Sequence, residues 1–296
     1  GSGKTHLLRA LRTSLHDRRL GYAGYLQMSS DVGDYARYIL AKLVDSFERP
    51  YSLPDLGESG LLYLSDGLTE LGGALAAADI ERLRDEEIDL EHLPSFVGRL
   101  ADALMRKGGL GEVDSDVLQA LLLLQRRDPA VQKRVVKFLR CEPLTSYEQD
   151  LLGGLTPRMQ PEDPRHMIEQ LGRLVSEIGG GVLGLLVDQI EDALPDAAGH
   201  ERLQRAFDVL RGIADAVPSI VVVIACLDDV YERIRPRLHQ SIVDRLERDP
   251  APVRLSSRRA RGEIEAMLVK RLEHLYESLD AGFREDDPTY QIGRAS

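Results

Sequence analysis

Behind the opening GSGKTH, Leu7, Leu8, Leu11 and Leu15 recur at helical spacing, with Arg9, Arg12 and Arg18 between them. The chain therefore begins by turning from a glycine-rich loop into an amphipathic helix. Residues 21–30, GYAGYLQMSS, carry the β-prone side chains Tyr22, Tyr25 and Leu26 and predict a short strand. Asp31 or Asp34 then caps a helix whose one face is Tyr35, Ile39, Leu43 and Phe47, and Pro50 ends it.

From 51 to 178 the pattern changes to helices punctuated by Gly, Pro and Asp. In DPAVQKRVVKFLR, Asp128 caps, Pro129 occupies the first turn, and Val131, Val135 and Phe138 make a stripe. Thr145 and Glu148 of TSYE have the spacing of a capping box. A helix opening at Asp163 and Pro164 stops at the glycines from Gly179. This stretch reads as a helical insertion, either scaffold or a surface for a partner protein.

At 182–187, VLGLLV is a continuous apolar run, the pattern of a parallel strand buried on both faces. Leu203, Phe207, Leu210, Ala214 and Val217 then mark a helix, and SIVVVIACL (219–227) a second β-branched run, closed by Asp228 and Asp229. PVRLS (252–256) predicts a further short strand. A long amphipathic helix follows, with Ile264, Leu268, Leu272, Leu275 and Leu279 on one face. Strands alternating with helices predict an α/β fold built on a parallel sheet.

Composition narrows the reading. A chain of 296 residues supports one or two domains. Its formal net charge of −11 argues against broad attraction to nucleic acid or anionic lipid, although local basic patches remain compatible with it. Cys141 and Cys226 lie far apart, and the seven histidines never pair at ligand spacing, so neither a disulfide framework nor a zinc site is expected. No apolar run approaches the ~20 residues of a membrane span. A reduced, cytoplasmic setting is the expectation. The chain has no initiator methionine, and residue 1 is expected to be an internal position of a longer protein, cut inside a loop.

The candidate chemistry starts with that loop. Gly3, Lys4 and Thr5 match the last three positions of the phosphate-binding pattern G-x-x-x-x-G-K-[ST], Gly1 and Ser2 fit the positions before them, and His6 follows. Glycines admit a phosphate close to the backbone, and free N–H groups at a helix start point at the anion. Lys4 then reaches β- and γ-phosphates, and the Thr5 hydroxyl ligates Mg²⁺. An acid at the end of a buried strand completes such a site by holding the metal through water, and Asp188, directly after LGLLV, is placed for it; an ordinary helix-capping acid is the competing reading. Gln189 stands where many ATPases carry a catalytic base. Glu191 or Asp192 takes that role if the backbone turns suitably, or Gln189 orients the water instead. At the end of the second β-branched run a γ-phosphate sensor is expected, and Cys226, Asp228 and Asp229 are the residues available. Arg245 and Arg248 precede the last expected strand, where an arginine finger for a neighbour's nucleotide would sit; a surface ion pair with Asp244, Glu247 or Asp249 is the alternative. Arg258, Arg259 and Arg261 form a local basic cluster.

GSGKTHLLRAL, LLVDQIED and VVVIACLDDVYERI, in this order, resemble AAA+ and STAND-type P-loop ATPases. GKTHLL is similar to the loop of the bacterial replication initiator, and DRLERDPAPVRLSSRRARGEIEAMLVKRL to the last core strand leading into a helical lid. KFLRCEPLTSYEQDLLG is faintly similar to ATP-binding proteins of BREX-type phage-defence systems. The resemblance covers about half the chain. It implies a P-loop NTPase core over 1–255 with strand order 5-1-4-3-2, a helical insertion at 51–178, and the start of a helical lid at 256–296. It implies ATP and Mg²⁺ as ligands, a switch or motor activity through ATP hydrolysis, and often assembly into a homo-oligomer. The sequence departs from the family pattern in lacking the first loop glycine, in Gln189, and in the absence of a polar sensor. An ATP-binding scaffold with little turnover and a small-molecule kinase are therefore the other two readings.

Overall fold

The structure is a computed structural model, and it describes residues 3–49, 59–85, 88–179, 181–194, 199–217, 219–248, 251–255 and 261–278. The chain divides into two compact units: Lys4–Pro252, and a second that comprises Val253–Ser296 with Gly1–Gly3.

The larger unit is α/β. Its sheet, among the described residues, has three parallel strands in the order β1 (Gly21–Gln27), β2 (Val182–Asp188), β3 (Ile220–Ile224). Gly21 lies opposite Val182 and Gln27 opposite Asp188, while Leu183 lies opposite Ile220. All three strands therefore end on one edge of the sheet. This order is compatible with a 4-3-2 run of the order that the resemblance implies.

Both faces of the sheet are covered, which is why β2 is apolar without alternation. On one face lies α1 (Lys4–Asp17), where Leu8 packs against Ala23 and Leu186, with Leu11, Leu15, Tyr25 and Val223 around them. On the other, Leu183, Leu185 and Val187 join the main core together with residues of α2 (Tyr35–Phe47), α9 (Asp163–Gly179) and α10 (Gly199–Ala216). Asp188 shares the parity of Leu186 and so belongs to the α1 face.

The helices between α2 and α9 are α3 (Gly60–Glu70), α4 (Ala77–Arg84), α5 (Leu93–Lys107), α6 (Ser115–Leu123), α7 (Pro129–Leu139) and α8 (Ser146–Leu151). They extend the main core through residues such as Leu64, Leu100, Leu121 and Phe138. At α7 and α8 the starts follow the local signals. Asp128 accepts from the N–H of Ala130 at 2.7 Å, and Thr145 with Glu148 forms the reciprocal capping box. Of the two candidate caps for α2, Asp34 is the one that acts, accepting from the N–H of Arg37 at 3.1 Å.

The two outer strands are treated differently. At β1, the N–H of Ala23 donates to His16 Nε2 and that of Tyr25 to Ser46 Oγ, each at 3.1 Å, so neighbouring helices satisfy it. Its first residue needs to be glycine: Gly21 has φ +147°, and a Cβ there would lie 1.9 Å from the carbonyl oxygen of Val182. By contrast, none of the five apolar residues of β3 is buried, and Val221 is 47% exposed.

The strand expected at 252–256 does not form over its described part. Residues 251–255 are irregular, with Val253 78% exposed. Pro252 has no N–H to offer a ladder, which favours an irregular segment over a paired one. In the second unit the described element is α13 (Arg261–Ser278), whose Ile264 and Leu268 are exposed. Leu275 and Leu279 of its expected stripe lie outside the described side chains. The same holds for Pro50.

Candidate functional site

The site is built where β2 ends. Asp188 is 1% exposed, and its carboxylate is fixed by three donors. The Thr5 hydroxyl, in the first turn of α1, donates to Oδ2 at 2.6 Å. The Tyr25 hydroxyl of β1 donates to the same oxygen at 2.9 Å. The N–H of Gln189 donates to Oδ1 at 3.0 Å. The strand register explains the meeting: Tyr25 lies two residues before Gln27, the partner of Asp188, on the face that α1 covers. Gln27 Nε2 in turn donates to the Tyr25 hydroxyl at 3.3 Å. Burial, followed by the hydrogen bond to Asp188, pushes the Tyr25 phenol above its ordinary value, so it stays a donor at neutral pH.

Gln189 has φ +56°, the left-handed region, where a side chain costs about 1–2 kcal/mol. That conformation turns the chain sharply after Asp188 into a short 3₁₀ turn, Ile190–Ala193. Ile190 and Ala193 are buried in the turn, and Glu191 lies within electrostatic reach of Cys226, just past the end of β3. Cys226 registers the result. Its thiol is pushed up to about 11, first by burial and then by the charge of Glu191, while Lys4 acts in the opposite direction. Lys4, Glu191 and Cys226 thus share one electrostatic neighbourhood. Oε2 of Glu191 is buried and has no hydrogen-bond partner among the described residues, an arrangement that is costly unless a ligand or water meets the oxygen.

Each residue singled out in the sequence can now be placed. Lys4 and Thr5 open α1, and Thr5 meets Asp188. His6 is exposed on α1. Gly1 and Ser2 lie outside the described residues, and Gly3, with φ +83°, belongs to the second unit. Asp228 and Asp229 do not cap the following helix, α11 (Asp228–Ile234). They sit in its first turn, where the helix dipole favours acids, and Leu227 holds the cap position. Arg245, on α12 (Gln240–Arg248), forms an ion pair with Asp215 of α10, a partner that the sequence reading did not include. The side chain of Arg248 and both Arg258 and Arg259 lie outside the described residues, while Arg261 pairs with Glu265 at 2.8 Å. The sequence reading missed Tyr25 and Gln27 as site residues. Period-two alternation had the signal, because 23, 25 and 27 share one face and 25 and 27 are its polar members.

The donor set fits a hard divalent cation held together with a phosphorylated ligand. Mg²⁺ is commonly bound by one or two carboxylates plus substrate phosphates. A buried aspartate that accepts from a threonine hydroxyl, on the helix that Lys4 opens, matches that requirement. No cluster of three or more His, Cys, Asp or Glu side chains suited to a metal occurs among the described residues, as such a shared site requires none. A crevice lined by Arg19, Gly21, Tyr22, Tyr63 and Ile178 lies at the opposite ends of the strands, away from this chemistry.

No family model, curated protein or solved structure matches the chain. What the geometry defines is an α/β protein with an open parallel sheet and a polar cluster at its strand ends. No helix among the described residues is long and apolar enough to cross a membrane.

Proposed function

We propose that the chain binds Mg²⁺–ATP at the ends of β2 and β3 and hydrolyses it, as a P-loop ATPase of the AAA+/STAND type. The observation that carries this reading is the 2.6 Å bond from Thr5 to Asp188, which ties the GKT motif to the acid ending the apolar strand. Lys4 neutralises charge on the β- and γ-phosphoryl groups, and the N–H groups opening α1 face them. Thr5 and Asp188 hold Mg²⁺, which when bound draws charge from the phosphoryl oxygens. The carboxylate of Glu191, whose Oε2 has no partner among the described residues, takes a proton from the attacking water as the water's oxygen bonds to the γ-phosphorus. The bond to the β–γ bridging oxygen breaks, and ADP leaves with the electron pair.

The test is Lys4→Ala in the intact protein, read by ATP binding and turnover. Both should fall by at least tenfold, and unchanged turnover refutes the assignment. Gln189, in the place of the usual base, favours a second reading, an ATP-binding scaffold with little turnover. A single-turnover assay separates them, because bound ATP that never becomes ADP supports the scaffold.

A further inference from the structure

Resting on the nucleotide reading above, we infer that Tyr25 is a positioning residue for Asp188: its hydroxyl orients the carboxylate that, with Thr5, takes the divalent cation of the bound nucleotide.

The carboxylate torsion of an aspartate is broad and soft, so its plane is set by whatever donors surround it. Here three donors come from three places: the first turn of α1, the middle of β1, and the residue after β2. An ionised carboxylate has about four acceptor sites. Oδ2 uses both of its sites on Thr5 and Tyr25, and Oδ1 uses one on Gln189, which leaves one site on Oδ1 for a cation-bound water. Without the Tyr25 hydroxyl, Oδ2 keeps only Thr5, and the carboxylate can rotate about that single contact.

Tyr25 is itself held rigidly. Its backbone N–H is bound by Ser46 Oγ at 3.1 Å, and its ring packs at the edge of the Leu8, Ala23 and Leu186 cluster. Gln27 Nε2 donates to the phenol oxygen, so the phenol proton is directed to Asp188 rather than to Gln27. Arg9, one helical turn after Thr5, lies close enough to act electrostatically on the same phenol. Nothing in the core requires the hydroxyl, because the ring alone fills the apolar contact; the polar atom is there for the carboxylate.

The test compares wild type with Tyr25→Phe, measuring ATP binding by calorimetry in MgCl₂ and in EDTA. The wild type should bind ATP more tightly in MgCl₂. In Tyr25→Phe that enhancement should fall about tenfold, the lower end for loss of a partner that orients a ligand, while affinity in EDTA stays within about twofold. A purely structural role would move both affinities together. Without nucleotide, a double-mutant cycle of Tyr25→Phe and Asp188→Ala in urea should be non-additive, because each single change removes the bond. An additive cycle, or a Mg²⁺ enhancement unchanged in Tyr25→Phe beside a normal wild-type response, overturns the role of Tyr25 alone. A wild type that binds ATP no better in MgCl₂ than in EDTA overturns the nucleotide reading and the inference with it.

Discussion

The hydroxyl of Thr5 donates to Oδ2 of Asp188 at 2.6 Å across 183 positions of sequence. The start of the first helix and the end of the central strand are thereby joined through a buried carboxylate and a half-buried hydroxyl. The consequences of that bond can be measured with and without nucleotide.

In the absence of any ligand, Asp188→Ala leaves the Thr5 and Tyr25 hydroxyls without their shared acceptor. A buried polar group left unpaired costs about 1–3 kcal/mol. Urea unfolding should show a loss of that size, and a smaller one for Asp188→Asn, whose amide oxygen still accepts. Equal stability of Asp188→Ala and wild type would mean that the bonds do not form in solution.

Glu191 should behave in the opposite way. Its buried Oε2 has no partner among the described residues, so Glu191→Gln removes a charge without breaking a hydrogen bond at that oxygen. Folding stability should hold or rise slightly. Turnover should drop by about 10²–10⁴, the usual contribution of a positioned base, with ATP affinity retained. Turnover within twofold of wild type would take the base role from Glu191.

The outer edge of β3 offers a third measurement. Exposed apolar strands template association with other chains, and a charge on such an edge blocks it. Val221→Lys, at a position already 47% exposed, should leave the melting midpoint within a few degrees and reduce concentration-dependent light scattering. Unchanged scattering would show that this edge does not drive association.

Acid stability should report the α7–α8 junction. Lys137 first, and then the backbone of Thr145, lower the Glu148 carboxyl from 4.5 to about 2. The depressed value means that the stabilisation is complete above the unfolded value and is lost as pH falls through the folded one. The window therefore runs from about pH 4.5 down to about pH 2. The urea midpoint of Glu148→Gln should vary less than that of wild type across this window. Parallel curves for the two proteins would contradict the assignment.

Much of the architecture was legible in the chain because its signals are local. Asp128, Asp34 and Thr145 cap helices through contacts within three residues of themselves. The apolar run of β2 needs no partner to be recognised as a strand covered on both faces. The candidate site was legible in part, because Lys4, Thr5 and Asp188 sit in short motifs whose chemistry is known. The segment at 252–255 shows where this kind of reading stops: an apolar, β-prone pattern becomes a strand only where another edge pairs with it, and pairing is not a property of five residues.

By itself, then, the sequence determined the three strands that pair, several of the helices, the starts of α2, α7 and α8, and that an acid ends the most apolar strand. Those outcomes follow from backbone hydrogen bonds and side-chain spacing over a few positions. The tertiary structure alone decided that Tyr25 shares an oxygen of Asp188 with Thr5, that Glu191, after the left-handed turn at Gln189, acts electrostatically on Cys226, and that Arg245 pairs with Asp215. Each depends on the register of β1 against β2 or on the packing of helices distant in sequence, and a contact between remote residues leaves no periodic trace in either of their neighbourhoods.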